Sequence, residues 1–266
     1  LTGSLQEQGY GDEVGIETPW TGQIVDKSWY DSPLYEKFRQ PGNIKVPFWL
    51  NPDRHYVGVA WYQKEIDIPA SWNGSPVQLE LERTHWETTL FLDGVEMGKH
   101  ESLSTPYRHT FKELTPGKHT LTLRVDNRVN IEVGVNAHSV SDHTQSNWNG
   151  VIGMISLTAK PSLYIDDIQI YPNIADKTIK VAVSLDGTTT TNDATLLLQV
   201  EKKDGGVVGK PHKVTINPEA GMTQEITLSM GEDALLWSEH SPNLYTLCAV
   251  VESDRKKEEQ YRTFGL

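Results

Sequence analysis

Hydrophobic side chains recur at every second position over stretch after stretch of this chain, and that period constrains the fold more than any other feature. Val77, Leu79 and Leu81 alternate with Gln78, Glu80 and Glu82, and Leu121, Leu123 and Val125 are spaced the same way. Successive side chains of an extended strand point to opposite faces, so this pattern makes a sheet with one apolar and one polar face. Thr88 to Leu92, followed by Asp93-Gly94 and Val95, reads as a strand entering a hairpin, because Asp-Gly accepts the positive φ angles of a tight turn. Pro116-Gly117 marks a second turn. After Lys160-Pro161 the alternation becomes longer and more regular, in Ile179, Val181, Val183 and Leu185 and again in Leu196, Leu198 and Val200. Val214 with Ile216, Ile226 with Leu228, and Tyr245 to Val251 supply further strands, with Thr188 to Asp193 and Asp204 to Gly206 as polar turns. Several short strands within about 100 residues form the immunoglobulin-like pattern.

Helical signal is confined to Ser32 to Gln40 and Gly231 to Trp237, each long enough for one short turn. A (β/α)8 barrel would need eight amphipathic helices, so a chain of 266 residues without them is not one. At about 100 to 200 residues per domain the length gives two domains, with the boundary at the change of texture: residues 1–160 and 161–266. A hydrophobic fraction of 37%, with Gly 21 and Pro 14, describes a turn-rich globular protein. The charge run Asp254 to Glu259 reads as a solvated turn before a final strand. Cys248, the only cysteine, sits in an apolar stretch and reads as a buried, unreactive thiol.

A net charge of -12 opposes nucleic-acid binding, which needs a concentrated cationic surface, whereas a neutral partner such as a sugar fits. No apolar run approaches the roughly 18 residues of a membrane span. Leu1 to Tyr10 is polar, without the charged and apolar regions of a signal peptide, and the missing initiator Met reads as a processed or truncated product.

Several strings, in order, resemble glycoside hydrolase family 2, the family of β-galactosidases, β-glucuronidases and β-mannosidases. Ala60-Trp61-Tyr62-Gln63-Lys64-Glu65-Ile66-Asp67-Ile68-Pro69 is similar to a strand of its N-terminal sugar-binding jelly roll, and Glu87 to Lys99 to the hairpin that follows. Pro106 and Leu121 to Asn127 come next, then Asn147 to Leu157, which resembles the close of that domain but carries Gly153 where the family usually has Arg. Ile165-Asp166-Asp167-Ile168 is similar to the opening of the second sandwich. Leu236-Trp237-Ser238 with Ser241 to Leu247 resembles the signature near its end, and Arg262 to Leu266 the strand that leads into the catalytic barrel. The resemblance implies an all-β chain, a jelly-roll β-sandwich followed by an immunoglobulin-like β-sandwich, that ends before the barrel.

Retaining glycosidases use two carboxyl groups about 5 to 5.5 Å apart. The resemblance implies that both are glutamates of the absent barrel, so this chain is expected to be inactive while its parent hydrolyses O-glycosidic bonds. Glu80 and Glu82 share the polar face of one strand and read as solvated. His138, Asp142 and His143 have neither helical nor zinc-finger spacing, and no G-x-S-x-G elbow is present, so no metal, cofactor or triad is expected.

The resemblance also implies that loops of the first domain reach the barrel mouth and bind sugar hydroxyls, through an Asn before the first sandwich strand and an Asp before the closing one. Asn43 and Asp142, with His143 beside it, stand at comparable positions. An amide donates and accepts and a carboxylate accepts strongly, although both residue types also cap turns. Trp86 and Trp148 lie in loop-like sequence and are candidates for stacking on a sugar ring, while Trp61, at a strand start, reads as core. Three readings stand side by side: an accessory part of a hydrolase whose partners are its own barrel and a carbohydrate substrate, an autonomous carbohydrate-binding module, or a structural pair of sandwiches. Arg262 to Leu266 favours the first. The expected setting, by family habit, is the periplasm or cell surface of a bacterium.

Overall fold

The computed structural model describes residues 3–15, 17–19, 32–43, 53–102, 104–130, 147–187, 194–203, 205–217, 222–254 and 256–266. The chain divides into two compact units, Leu1–Thr158 and Ala159–Leu266, and among the described residues both are built of strands.

In the first unit the strands are β1 (Gly3–Ser4), β2 (Asp12–Glu13), β3 (Arg54–His55), β4 (Val59–Ile68), β5 (Val77–His85), β6 (Glu87–Leu92), β7 (Val95–Glu101), β8 (Tyr107–Phe111), β9 (Gly117–Asp126) and β10 (Gly150–Ala159). They form two four-stranded sheets, β1-β10-β5-β8 and β4-β9-β6-β7, with β2 and β3 paired separately. The expected alternation fills the core between the sheets: Val77, Leu79, Leu81, Tyr107, Phe111 and Val151 from one side, Ile68, Leu90, Leu121, Leu123 and Val125 from the other. The Asp93-Gly94 hairpin closes with both residues at positive φ, 51° and 82°, as a primed turn requires.

Register explains two departures from the sequence reading. Ala60, Val125, Thr88 and His100 lie side by side across β4, β9, β6 and β7, and the next row is Trp61, Arg124, Thr89 and Lys99. Ala60 is buried, so Trp61 takes the opposite face and is 61% exposed rather than part of the core. At Gly153 φ is +77°, a conformation disfavoured for any side chain with a Cβ. A Cβ there would fall 2.3 Å from the Glu82 carboxylate, which accepts a 2.7 Å bond from the Met154 N–H. Glu82 thus fills the space that a side chain at position 153 would enter.

The second unit comprises β11 (Leu163–Asn173), β12 (Thr178–Gly187), β13 (Thr195–Lys202), β14 (Val207–Thr215), β15 (Thr223–Ser229), β16 (Trp237–Ser238), β17 (Ser241–Pro242), β18 (Leu244–Ser253) and β19 (Lys256–Gly265). A three-stranded sheet β11-β12-β15 faces a four-stranded sheet β14-β13-β18-β19, an immunoglobulin-type sandwich in which the chain changes sheet between β12 and β13 and again between β14 and β15. Ile165 and Ile168, three positions apart, both reach the core because a bulge between Ile165 and Asp167 shifts the pleat by one residue. Tyr245, buried at the start of β18, binds the backbone ten residues upstream: its hydroxyl accepts from Leu235 N at 2.8 Å and donates to Leu235 O at 3.2 Å. The Phe264 ring stacks on it at 5.7 Å.

Of the two helical expectations, only the first holds, as a 3-10 turn at Pro33–Phe38. Gly231 to Trp237 makes a single turn, closed by Ala234 N donating to Gly231 O at 3.1 Å, and then enters β16, because the next residue, Leu235, bonds to Tyr245 and not to the turn. The charge run is not a turn throughout: β19 begins at Lys256, and Lys257 and Glu259 pair along one face of it. Cys248 lies between the buried Leu247 and Ala249 but on the other face, half-buried, where partial burial pushes its thiol pKa up.

Removing the tyrosine hydroxyl should unpin the Leu235 segment. Tyr245→Phe should cost about 1–2 kcal/mol, read as a lower urea midpoint at unchanged m-value. An unchanged midpoint would show that the corner carries no stability.

Candidate functional site

The first unit gathers its polar side chains at one end, where the chain enters β4, turns from β5 to β6, leaves β9 and enters β10. Asn127, Asn147 and Asn149 are buried there, with Gln6 brought in by the N-terminal arm. Each amide replaces a missing strand partner. Asn127 Nδ2 donates to Tyr56 O at 2.8 Å and to Asn147 Oδ1 at 3.0 Å, while its Oδ1 accepts from Gly58 N at 2.8 Å. Asn147 Nδ2 donates to Asn127 O at 2.9 Å. Asn149 Nδ2 donates to Gly58 O at 2.9 Å, and Gln6 Nε2 to Asn147 O at 3.2 Å. Buried backbone groups outside a ladder must find partners, and asparagine, as both donor and acceptor, supplies them.

Charged groups border this cluster. Asp126, whose side chain is 1% exposed, receives Arg128 at 2.6 Å and Arg124 at 3.0 Å. Arg124 also reaches Glu87 at 3.3 Å, and Lys99 meets Glu87 at 2.6 Å. Burial alone would raise the Asp126 pKa, but the hydrogen bonds from Arg128 and the charges of Arg128 and Arg124 together hold it below the ordinary carboxylate value. A carboxylate held ionised between two guanidinium groups is a structural anion and cannot serve as a general acid near neutral pH. Glu80 is likewise bound, to Arg108 at 2.8 Å.

The tryptophan candidates separate. Trp86 is 2% exposed and its Nε1 donates to Arg128 O at 2.9 Å, so it is a core residue and not an open sugar platform. Its place between the ends of β5 and β6, joined to His85 by a cis peptide, looks loop-like in sequence but is covered in the fold. Trp148 is half-buried at the start of the segment leading to β10, its ring 4.6 Å from the His85 ring and its carbonyl accepting from His85 Nδ1 at 2.5 Å. Asn43 is exposed, donating its amide to Lys37 O at 2.7 Å and its backbone N–H to Gln40 O at 3.0 Å, which closes the turn after the 3-10 segment. Asp142 and His143, with His138, lie outside the described residues. The structure does not bring Asn43 and Trp148 together in any contact among the described residues.

Sequence alone assigns no role to Asn127, Asn147 and Asn149. The available signal was their position, Asx residues placed just where a strand stops or starts.

In the second unit Trp237 and its neighbours form an apolar surface. Leu235, Leu236, Trp237 and Leu244 are all exposed, Trp237 by 50%. They are held rigidly: Trp237 N donates to Leu266 O at 2.7 Å and Asn243 Nδ2 to Leu236 O at 2.9 Å. Gly265 permits this, since a Cβ on it would lie 2.8 Å from Trp237 Cβ.

Comparison with known proteins bears on this unit first. The family model "Glycosyl hydrolases family 2" matches residues 163–266. Curated relatives include a β-glucuronidase of Formosa agariphila, 22% identical over 79% of this chain and 23% of its own length, and one of Paenibacillus borealis, 22% identical over 84% of this chain and 38% of its own. The chain therefore spans about a quarter to two-fifths of the relatives it matches. Among solved structures, Bacteroides uniformis beta-glucuronidase 3 superposes with a TM-score of 0.63 at 18% identity, covering 79% of this chain and 27% of that one. A beta-glycosidase from Bacteroides vulgatus gives a TM-score of 0.61 at 18% identity, covering 84% and 27%. These likenesses establish the shared fold.

Two measurements test the polar end. Asn127→Ala strands several buried groups and should cost about 2–3 kcal/mol, visible as a lower denaturant midpoint. Because the folded Asp126 pKa is depressed, its contribution is present above the ordinary value of 3.8 and is lost as pH falls through the folded value. Asp126→Asn should therefore lower stability at neutral pH and flatten its fall below that value; an acid limb identical to wild type would remove Asp126 as its source.

Proposed function

We propose, from the match of the family model to residues 163–266, that the chain is the non-catalytic, N-terminal part of a family 2 glycosidase, acting on a carbohydrate substrate through a catalytic barrel that is not part of these residues. The observation that carries this reading is the apolar surface of Leu235, Leu236, Trp237 and Leu244, hydrogen-bonded to Leu266 through Trp237 N. Exposed apolar clusters of this kind are interaction surfaces, suited to docking another domain. The ion-paired state of Asp126 agrees, since a carboxylate held ionised is not available as a glycosidase acid.

On this reading the first unit gives the barrel a firm wall. Its amide cluster fixes the start of β10 and with it Trp148, while Asn43, Asp142 and His143 are the residues we propose for contact with sugar hydroxyls at the barrel mouth. The exported bacterial setting belongs to the same proposal and rests on family habit alone. An autonomous binding module would have no use for a rigid apolar surface at Trp237.

Three outcomes are expected. The isolated chain should turn over no β-galactoside, β-glucuronide, β-mannoside or α-arabinoside above an inactive control, and turnover that copurifies with it would overturn the reading. In the longer protein, Asn43→Ala or Asp142→Ala should lower kcat/KM about five-fold to a hundred-fold at an unchanged melting temperature; loss of stability at full activity would make the residue a turn cap. Trp237→Ala should lower the melting temperature of the longer protein more than that of the isolated chain. Equal losses would mean that nothing docks on this surface.

A further inference from the structure

The outer face of the β11-β12-β15 sheet carries a polar grid with a hole at its centre. Three cross-strand rows are in register: Asp167, Ser184 and Thr223; Gln169, Ala182 and Glu225; Tyr171, Lys180 and Thr227. Ala182 is at the middle, and the other eight positions carry larger polar or aromatic side chains. A methyl group surrounded by longer neighbours leaves a shallow open depression of about 510 Å³, lined by Gln169, Tyr171, Lys180, Ala182, Ser184, Thr223 and Glu225.

We propose that this depression binds a neutral glycan. The Tyr171 ring, 52% exposed at one corner, offers an apolar face for the CH groups of a pyranose. Around it stand an amide, an ammonium, a carboxylate and two hydroxyls, a mixture of donors and acceptors suited to sugar hydroxyls. They are also held in place. Tyr171 OH donates to Gln169 Oε1, Gln169 Nε2 donates to Asp167 Oδ2 at 3.0 Å, and one of the Ser184 and Thr223 hydroxyls donates to the other at 3.5 Å. Lys180 pairs with Glu225 at 2.8 Å, so with Asp167 the grid has one cation against two anions, which disfavours phosphate or other anionic ligands. The site is open and flat, so an extended oligosaccharide, which covers several grid positions, should bind better than a monosaccharide, with millimolar dissociation constants. The inference stands on this sheet face and does not depend on the hydrolase reading.

The test is an amide-shift titration of the whole chain with neutral β-linked tetrasaccharides of glucose, xylose, mannose and galactose. The expected result is a saturable shift at residues 167–171, 180–184 and 223–227 with at least one of them, weakened at least ten-fold by Tyr171→Ala and by Ala182→Gln, which fills the hole without charge. Unchanged circular dichroism of both variants excludes misfolding as the cause. In the longer protein Tyr171→Ala should leave kcat/KM on a small aryl glycoside unchanged, which separates this site from the proposed sugar contacts of the first unit. The proposal is overturned if no tetrasaccharide at millimolar concentration shifts the grid, if the shifts survive both variants, or if saturable binding maps only to the end that carries Trp148.

Discussion

The two-residue pleat of a β-strand decides what every surface of this protein does. One face of each sheet is committed to a core, so chemistry is left to the outer faces and to the ends where strands stop. At those ends the pleat fails, backbone groups lose their ladder partners, and side chains must replace them. In the first unit Asn127, Asn147, Asn149 and Gln6 make that replacement, binding the carbonyls of Tyr56, Gly58 and Asn147 in place of a strand. In the second unit Tyr245 does the same with Leu235. These bonds fix the segments around Trp148 and Trp237 from outside the two apolar cores.

Where the pleat is regular, the sequence was legible. The core strands from Val77 to Val125 and from Ile179 to Val251 bury the side chains that their alternation marks. So was the primed turn at Asp93-Gly94, since few other residue pairs accept two positive φ angles in succession. Reading failed where burial depends on partners distant in sequence. Trp61, at a strand start, reads as core in the sequence, yet parity places it outside beside Phe91, at 5.8 Å. Trp86 lies in loop-like sequence, yet it and its polar neighbours, Glu87 and His85, are buried. Ile165 and Ile168 fit one face only because of a bulge, which period counting does not register.

The candidate site was less legible still. Family resemblance directs attention to loop residues such as Asn43 and Asp142, whereas the structure shows most clearly the buried amides and ion pairs that fix the ends of the strands. A carboxylate read alone is a possible acid. Between Arg124 and Arg128, Asp126 becomes a fixed anion, and Glu87 beside it pairs with Arg124 and Lys99. Such pairing makes a rigid support for neighbouring chemistry, which is the role assigned to these two sandwiches.

The central claim is that catalytic carboxylates lie outside these residues. The most direct measurement is to treat the longer protein with a mechanism-based fluorinated glycoside, digest it, and map the covalent glycosyl adduct by mass spectrometry. The account expects the adduct on a carboxylate beyond residue 266 and none on peptides of this chain. A stoichiometric adduct on any Asp or Glu within residues 1–266 would contradict it.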